Sequence, residues 1–131
     1  MILPSGLKII EDQEGSGPEA ETGHTIVYNC RVFLNQGDEV PINDIQAERG
    51  IPDVRIRREG GQILIDHIST LGKRQVIAGI EKALMGMRVG GFRKVRVSPH
   101  LAYRDRGIPG LIPPDAVLII SVWLREVRSR E

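Results

Sequence analysis

Apolar and polar residues alternate with a period of two along much of this chain, which is the pattern of strands that bury one face. The clearest case is TIVYNCRVFL, residues 25–34, followed by the turn signal NQGD and a return toward PI. Its apolar face comprises Ile26, Tyr28, Cys30, Val32 and Leu34. Similar patterns predict strands over residues 7–10, 92–99 and 117–127.

One stretch follows a different period. In VIAGIEKALMGM, residues 76–87, the apolar residues recur at near-helical spacing and predict a short helix that ends at RVGG. The stripe comprises Ile77, Ile80, Leu84 and Met87. The patterns indicate four to six strands, most simply about five, and one short helix. This set predicts an α+β fold in which an antiparallel sheet covers the helix.

The segment of residues 41–66 has the weakest pattern. Around Gly60 and Gly61, the stretches DVRIRR and QILIDHI alternate like two strands and predict a hairpin. The arginines of this segment are expected to face water.

The length, together with 40% hydrophobic and 27% charged residues, predicts one globular domain over residues 1–131. We expect this domain to be a monomer. A net charge of +1 gives no indication of a nucleic-acid or membrane partner. The single cysteine excludes an internal disulfide and suits a reducing compartment, so we expect a cytoplasmic location. No signal peptide is expected from MILPSGLKII, and no apolar run approaches the roughly 20 residues of a membrane span.

Motifs for metal, phosphate or nucleophilic chemistry are missing from the sequence. His24, His67 and His100 lie far apart and have no carboxylate at ligand spacing, so neither a metal nor another cofactor is expected. Cys30 lies within an apolar strand, where a free cysteine is usually a small buried hydrophobe. Any activity should therefore need only a shaped pocket. The loop IPGLIPP, residues 108–114, offers large aliphatic side chains on a proline-stiffened frame directly before the last strand.

Two stretches, VIAGIEKALMGMRVG and SPHLAYRDRGIPGLIPPDAVL, resemble the FKBP family of peptidyl-prolyl cis-trans isomerases. A weaker resemblance covers EGSGPEAETGHTIVYNCRVFLNQGD, and the family has a shorter connection where this chain has residues 41–66. The resemblance implies a twisted antiparallel sheet wrapped around the short helix, with a proline-binding pocket between them. It also implies proline-containing polypeptides as substrates in protein folding, and macrolides as ligands.

The resemblance assigns roles to ten residues. The backbone N–H of Ile77 and the hydroxyl of Tyr103 would each donate a hydrogen bond to a substrate carbonyl. The residues that would form the apolar entrance, floor and walls are Cys30, Val40, Val76, Ile80, Ile108, Leu111, Ile112 and Ile120.

This chain departs from the family pattern at the aromatic residues of the pocket. The family has Trp at the position of Ile80, Tyr at Cys30, Phe-Asp at Val40-Pro41 and Phe at Ile120. We therefore expect weak isomerase activity and weak macrolide binding. The alternative is a non-catalytic FKBP-like binding or chaperone module, in which the segment of residues 41–66 covers or reshapes the pocket or offers an edge for a partner.

Overall fold

The computed structural model describes residues 2–3 and 6–128, and within them nine strands and two short helices. The strands are β1 (Ile2–Leu3), β2 (Leu7–Gln13), β3 (Thr25–Leu34), β4 (Glu39–Val40), β5 (Ile56–Glu59), β6 (Gln62–Ile65), β7 (His67–Thr70), β8 (Phe92–Val97) and β9 (Leu118–Arg128). The helices are α1 (Ile42–Glu48) and α2 (Ala78–Leu84). The predicted α+β class is confirmed. Neither helix is long and apolar enough to cross a membrane.

One antiparallel sheet organises the fold. Its strands lie in the order β1-β2-β8-β9-β3-β4, and β7 also pairs with β3. The pairing of β3 with β9 runs from Thr25 opposite Arg128 to Leu34 opposite Leu118, with one irregularity between Val27 and Tyr28. These two long strands are therefore the centre to which the other elements attach.

The edge of β3 that faces away from β9 is shared by two short strands. β7 pairs with Thr25–Tyr28, and β4 pairs with Val32 and Phe33. Residues 41–66 leave the sheet at the gap between them. In this gap, Nδ2 of the buried Asn43, from α1, donates a hydrogen bond to the Cys30 carbonyl at 3.0 Å. The inserted segment thus satisfies part of the edge that it interrupts.

The main core lies between α2 and one face of the sheet. Alternation along each strand places every second residue on this face, and helix α2 turns Ile80, Ala83 and Leu84 toward it. The buried residues that the sheet contributes are Leu7, Ile26, Tyr28, Cys30, Val32, Val40, Val95, Val97, Leu118, Ile120, Val122 and Leu124. The predicted helical stripe is confirmed, since Met87 also belongs to this core.

The predicted hairpin is present as β5 and β6, and both glycines of its turn have positive φ, 55° at Gly60 and 77° at Gly61. Helix α1 was not predicted. The arginines of this segment also differ from expectation, because two of them contact protein groups rather than only water. Arg55 donates to the Asp66 carbonyl at 3.1 Å, and Arg57 donates to both Asp66 carboxylate oxygens at 3.2 Å.

A polar cluster fixes the hairpin to the sheet. Asn29 lies on the face of β3 opposite to Tyr28 and Cys30, yet it is fully buried. Its Nδ2 donates to the Ile65 carbonyl at 2.8 Å and to the Asp66 carboxylate at 2.7 Å. Its Oδ1 accepts a hydrogen bond of 2.6 Å from Arg125 of β9. The hairpin therefore packs on the face of β3 that points away from α2.

The charge of Asp66 is part of this cluster. Burial alone would raise the pKa of its carboxyl, but hydrogen bonds from Asn29 and Arg57, together with the charges of Arg57 and Arg125, lower the pKa below its usual value. Because the lowered pKa belongs to the folded state, Asp66 stabilises the fold above about pH 4, and this contribution is lost as the pH falls through the lowered pKa.

We predict that Asn29→Ala lowers the free energy of unfolding by about 2–3 kcal/mol, because Asp66 and Arg125 would each lose a hydrogen bond inside a largely enclosed cluster. Urea denaturation measures this. The control is Gln62→Ala in the same hairpin, whose exposed side chain should change the free energy by no more than about 0.5 kcal/mol. Equal effects of the two substitutions would contradict the role given to the cluster.

Candidate functional site

The start of α2 presents a free backbone donor. Ile77 caps the helix, and its carbonyl accepts the N–H groups of Ile80 at 3.1 Å and Glu81 at 3.2 Å. The N–H of Ile77 itself has no hydrogen-bond partner within the described part of the chain. Since the residue is only half-buried, this donor can reach a ligand.

Close packing at Gly79 brings this end of α2 against the segment that carries Tyr103. A Cβ at position 79 would collide with the Val97 side chain and crowd the Leu101 carbonyl at 3.1 Å. Leu101 ends a single 3-10 turn that begins at Pro99, and Tyr103 follows two residues later. A larger residue at Gly79 would therefore displace α2 from Val97 and Leu101.

Backbone hydrogen bonds hold the loop before β9 in a compact form. Ile108 and Ile112 exchange two N–H···O bonds of 2.8 Å each, and the N–H of Gly107 donates to the Tyr103 carbonyl at 3.0 Å. This ladder adds to the restriction that the loop prolines impose. The aliphatic residues of the loop therefore have fixed positions around Tyr103.

The ten predicted site residues all belong to the main core cluster or pack against it, in two groups. The buried group, which can form a floor, comprises Cys30, Val40, Ile80, Ile112 and Ile120. The half-buried group, which can form a rim, comprises Val76, Ile77, Tyr103, Ile108 and Leu111. Pro41 is exposed and caps α1, so it adds nothing to the floor in place of a family aspartate.

The polar groups near this floor are uncharged at neutral pH. Burial raises the pKa of the Cys30 thiol to about 12. Burial also raises the pKa of Tyr103 above its ordinary value, and the neighbouring Cys30 raises it further. The Tyr103 hydroxyl has no hydrogen-bond partner among the residues described, so it is a free neutral donor like the Ile77 N–H.

Tyr28 is a residue near the site that the sequence analysis did not single out. It is buried on the same face of β3 as Cys30, and its ring lies 5.3 Å from that of His67 on the paired strand β7. Burial raises the pKa of its hydroxyl, and Cys30, Tyr103 and Glu81 are close enough to raise it further. The period-two pattern placed Tyr28 on this face of the strand, but only the pairing of β3 with β7 brings His67 to it.

Trp123 lies on the opposite face of β9 from Ile120, where its ring is 5.0 Å from the Phe92 ring. The indole therefore cannot supply the floor of the site.

The arrangement suits binding of an uncharged, apolar group with carbonyls at its rim. Residues 2–3 and 6–128 include no cluster of three His, Cys, Asp or Glu side chains that could hold a metal ion. An apolar floor with two neutral donors defines a site that can bind and reorient a peptide group.

Comparison with known proteins identifies the class. A family model described as FKBP-type peptidyl-prolyl cis-trans isomerase matches residues 66–125. FK506-binding protein 1A of Neurospora crassa is 32% identical over 132 residues, which cover 98% of this chain and 96% of that protein. Peptidyl-prolyl cis-trans isomerase FPR2 of Saccharomyces cerevisiae is 46% identical over 105 residues, 79% of this chain and 75% of that protein.

The chain therefore belongs to the FKBP-type peptidyl-prolyl cis-trans isomerase family. The predicted isomerase function is confirmed at the level of the family. The relatives do not favour the non-catalytic alternative. The 46 kDa FK506-binding nuclear protein of Spodoptera frugiperda is 29% identical over 126 residues, 96% of this chain but 26% of that protein. This chain thus spans about a quarter of that longer relative.

We predict that Gly107→Ala damages the site more than Gly110→Ala. Both glycines have positive φ, 57° and 80°, so both substitutions strain the backbone. Only at Gly107 would the new Cβ collide with the Ile112 carbonyl and with Pro113. We expect an additional loss of about 1–3 kcal/mol in the free energy of unfolding, measured by urea denaturation. Equal losses would show that the compact loop does not depend on this contact.

Proposed function

We propose that this chain isomerises X-Pro bonds by holding proline over the floor formed by Cys30, Val40, Ile80, Ile112 and Ile120. The observation that carries the proposal is the pair of free neutral donors, the Ile77 N–H and the Tyr103 hydroxyl, at the rim of this floor. Each would donate a hydrogen bond to a substrate carbonyl. Val76, Ile108 and Leu111 would contact the residues on either side of the proline.

The reaction needs no acid, base or nucleophile. Rotation about the X-Pro amide is opposed by a barrier of roughly 20 kcal/mol because the bond has partial double-bond character. A site that binds the twisted amide more tightly than the planar one lowers that barrier, and each 1.36 kcal/mol of differential binding gives about tenfold in rate. The twisted amide has a less polar carbonyl, so an apolar site binds it relatively better than the planar form.

The site offers less aromatic surface than the family pattern. Aliphatic residues and a thiol form its floor, so we expect weaker activity and weaker macrolide binding than the full aromatic pocket would give. The ring pair of Tyr28 and His67, which includes the buried neighbour of Cys30 on the same face of β3, would supply part of this surface. We include Tyr28 in the proposed site for that reason.

The wider role concerns folding polypeptides. We expect residues 1–131 to act as one monomeric domain on proline-containing segments of folding polypeptides. A chaperone contribution and a cytoplasmic location remain predictions from the sequence. The buried, protonated Cys30 is compatible with a reducing compartment but does not require one.

We predict that Tyr103→Phe lowers kcat/KM for short X-Pro peptides by about tenfold, because one hydrogen bond to the substrate is lost. Two-dimensional exchange NMR measures the rate. The free energy of unfolding should change by no more than about 0.5 kcal/mol, since the hydroxyl has no partner within the described chain. An unchanged kcat/KM in a folded variant would remove Tyr103 from the site.

We predict that kcat/KM is independent of pH between about pH 7 and 9.5. The pKa values of Tyr103 and Cys30 are raised, so both groups keep their protons throughout this range. Burial, then the charge of Arg55, lowers the pKa of His67, which is therefore neutral there. Exchange NMR across this range, with intact fold verified by circular dichroism, checks the profile. A decline with an apparent pKa inside the range would contradict the proposed site.

A further inference from the structure

A groove of about 780 Å³ begins at Val76, on the rim of the proposed site, and runs along α2. Its apolar lining comes from Val76, Ala78 and Met85. The rest of its lining is charged: Arg74, Glu81, Lys82 and Arg104. Val76 therefore belongs both to the rim of the proposed site and to this groove.

The positive charges of this groove are unpaired as far as residues 2–3 and 6–128 are concerned. Arg74, Lys82 and Arg104 are exposed and form no ion pair within the described residues. The one acidic residue, Glu81, already accepts hydrogen bonds of 3.2 Å from the backbone N–H groups of Gly72 and Arg74. Three cations and one engaged carboxylate give the groove a formal charge of +2, although the whole chain carries only +1.

The backbone holds both arginines in a conformation that side chains rarely adopt. Arg74 and Arg104 each have φ of 55°, and the described residues contain only one other non-glycine residue with positive φ. Such strain persists only where surrounding contacts impose it, and it concentrates at functional positions. At Arg104 those contacts are backbone bonds of 2.9 Å to Pro99 and 2.8 Å from Asp115. Arg104 also directly follows Tyr103, so its position is fixed relative to the site.

We propose that this groove binds an acidic segment next to the proline, so that the protein selects X-Pro sequences flanked by Asp or Glu. The proposal rests on the proposed function, because the site must hold the proline that brings the segment to the groove. The carboxylates would pair with Arg74, Lys82 and Arg104, and the apolar lining would contact the substrate backbone.

Titration of ¹⁵N-labelled protein with matched peptides tests the proposal. The acidic peptides carry two Glu residues either directly before or directly after an Ala-Pro step. Each has a control peptide with Gln at the same two positions. We expect the better-placed acidic peptide to bind about fivefold more tightly at low ionic strength, with the difference shrinking as salt is added. Amide shifts should extend from Val76 along α2 with the acidic peptide only.

Charge removal in the groove is compared with charge removal elsewhere. In Arg74→Gln/Arg104→Gln, the preference for the acidic peptide should fall to about onefold. In Arg96→Gln, which removes an exposed cation from β8, the fivefold preference should remain. Loss of the preference in both variants would show that it arises from the net charge of the protein and not from this groove. That result would overturn the proposal.

The two proposals fail in different ways. Binding without preference for Glu, accompanied by accelerated exchange of both peptides, would overturn the groove and leave the isomerase intact. An acidic preference that requires the two arginines, without accelerated exchange, would support the groove and contradict the isomerase mechanism. Tighter binding of Gln peptides would overturn the groove outright.

Discussion

The divided edge of β3 is the constraint on which the rest of this structure depends. β3 pairs with β9 along its whole length, but its other edge is shared by β4 and β7 with a gap between them. The strand ends at this gap place Val40 and His67 beside the core face. The segment that leaves through the gap is fixed by Asn43 at the Cys30 carbonyl and by Asn29 at Asp66.

The two faces of β3 have different roles in this arrangement. The face that bears Tyr28 and Cys30 looks toward α2 and carries part of the proposed floor. The opposite face bears Asn29, and the hairpin covers it. The segment of residues 41–66 therefore stabilises β3 from the face that points away from α2. Its hairpin does not lie over the floor, so the expectation that residues 41–66 cover the pocket is not met for that part.

Local patterns in the sequence were sufficient for the fold class and for most of the main strands and the helix α2. Alternation in β3 and β9, the helical stripe of α2 and the turn at Gly60 and Gly61 all arise from contacts that repeat along a short stretch. The resemblance added the proposed roles of the loop residues, which belong to the core cluster or pack against it.

The missed features have long-range causes. Helix α1 has seven residues without a strong apolar stripe, and its contacts with β3 and β6 stabilise it more than propensity does. Two further contacts depend on how residues 56–67 fold back onto β3. One is the pairing of His67 with Tyr28, and the other is the ion pair of Arg57 with Asp66. None of these contacts has a signature within a window of neighbouring residues.

We propose that an apolar floor with few aromatics, together with two free donors, is sufficient to isomerise X-Pro bonds. Two-dimensional exchange NMR on short X-Pro peptides, with catalytic amounts of the folded wild-type protein, is the decisive measurement. We expect cis/trans exchange faster than in buffer, with a rate that increases in proportion to protein concentration. Exchange at the rate in buffer, from a protein shown to be folded in the same sample, would contradict it.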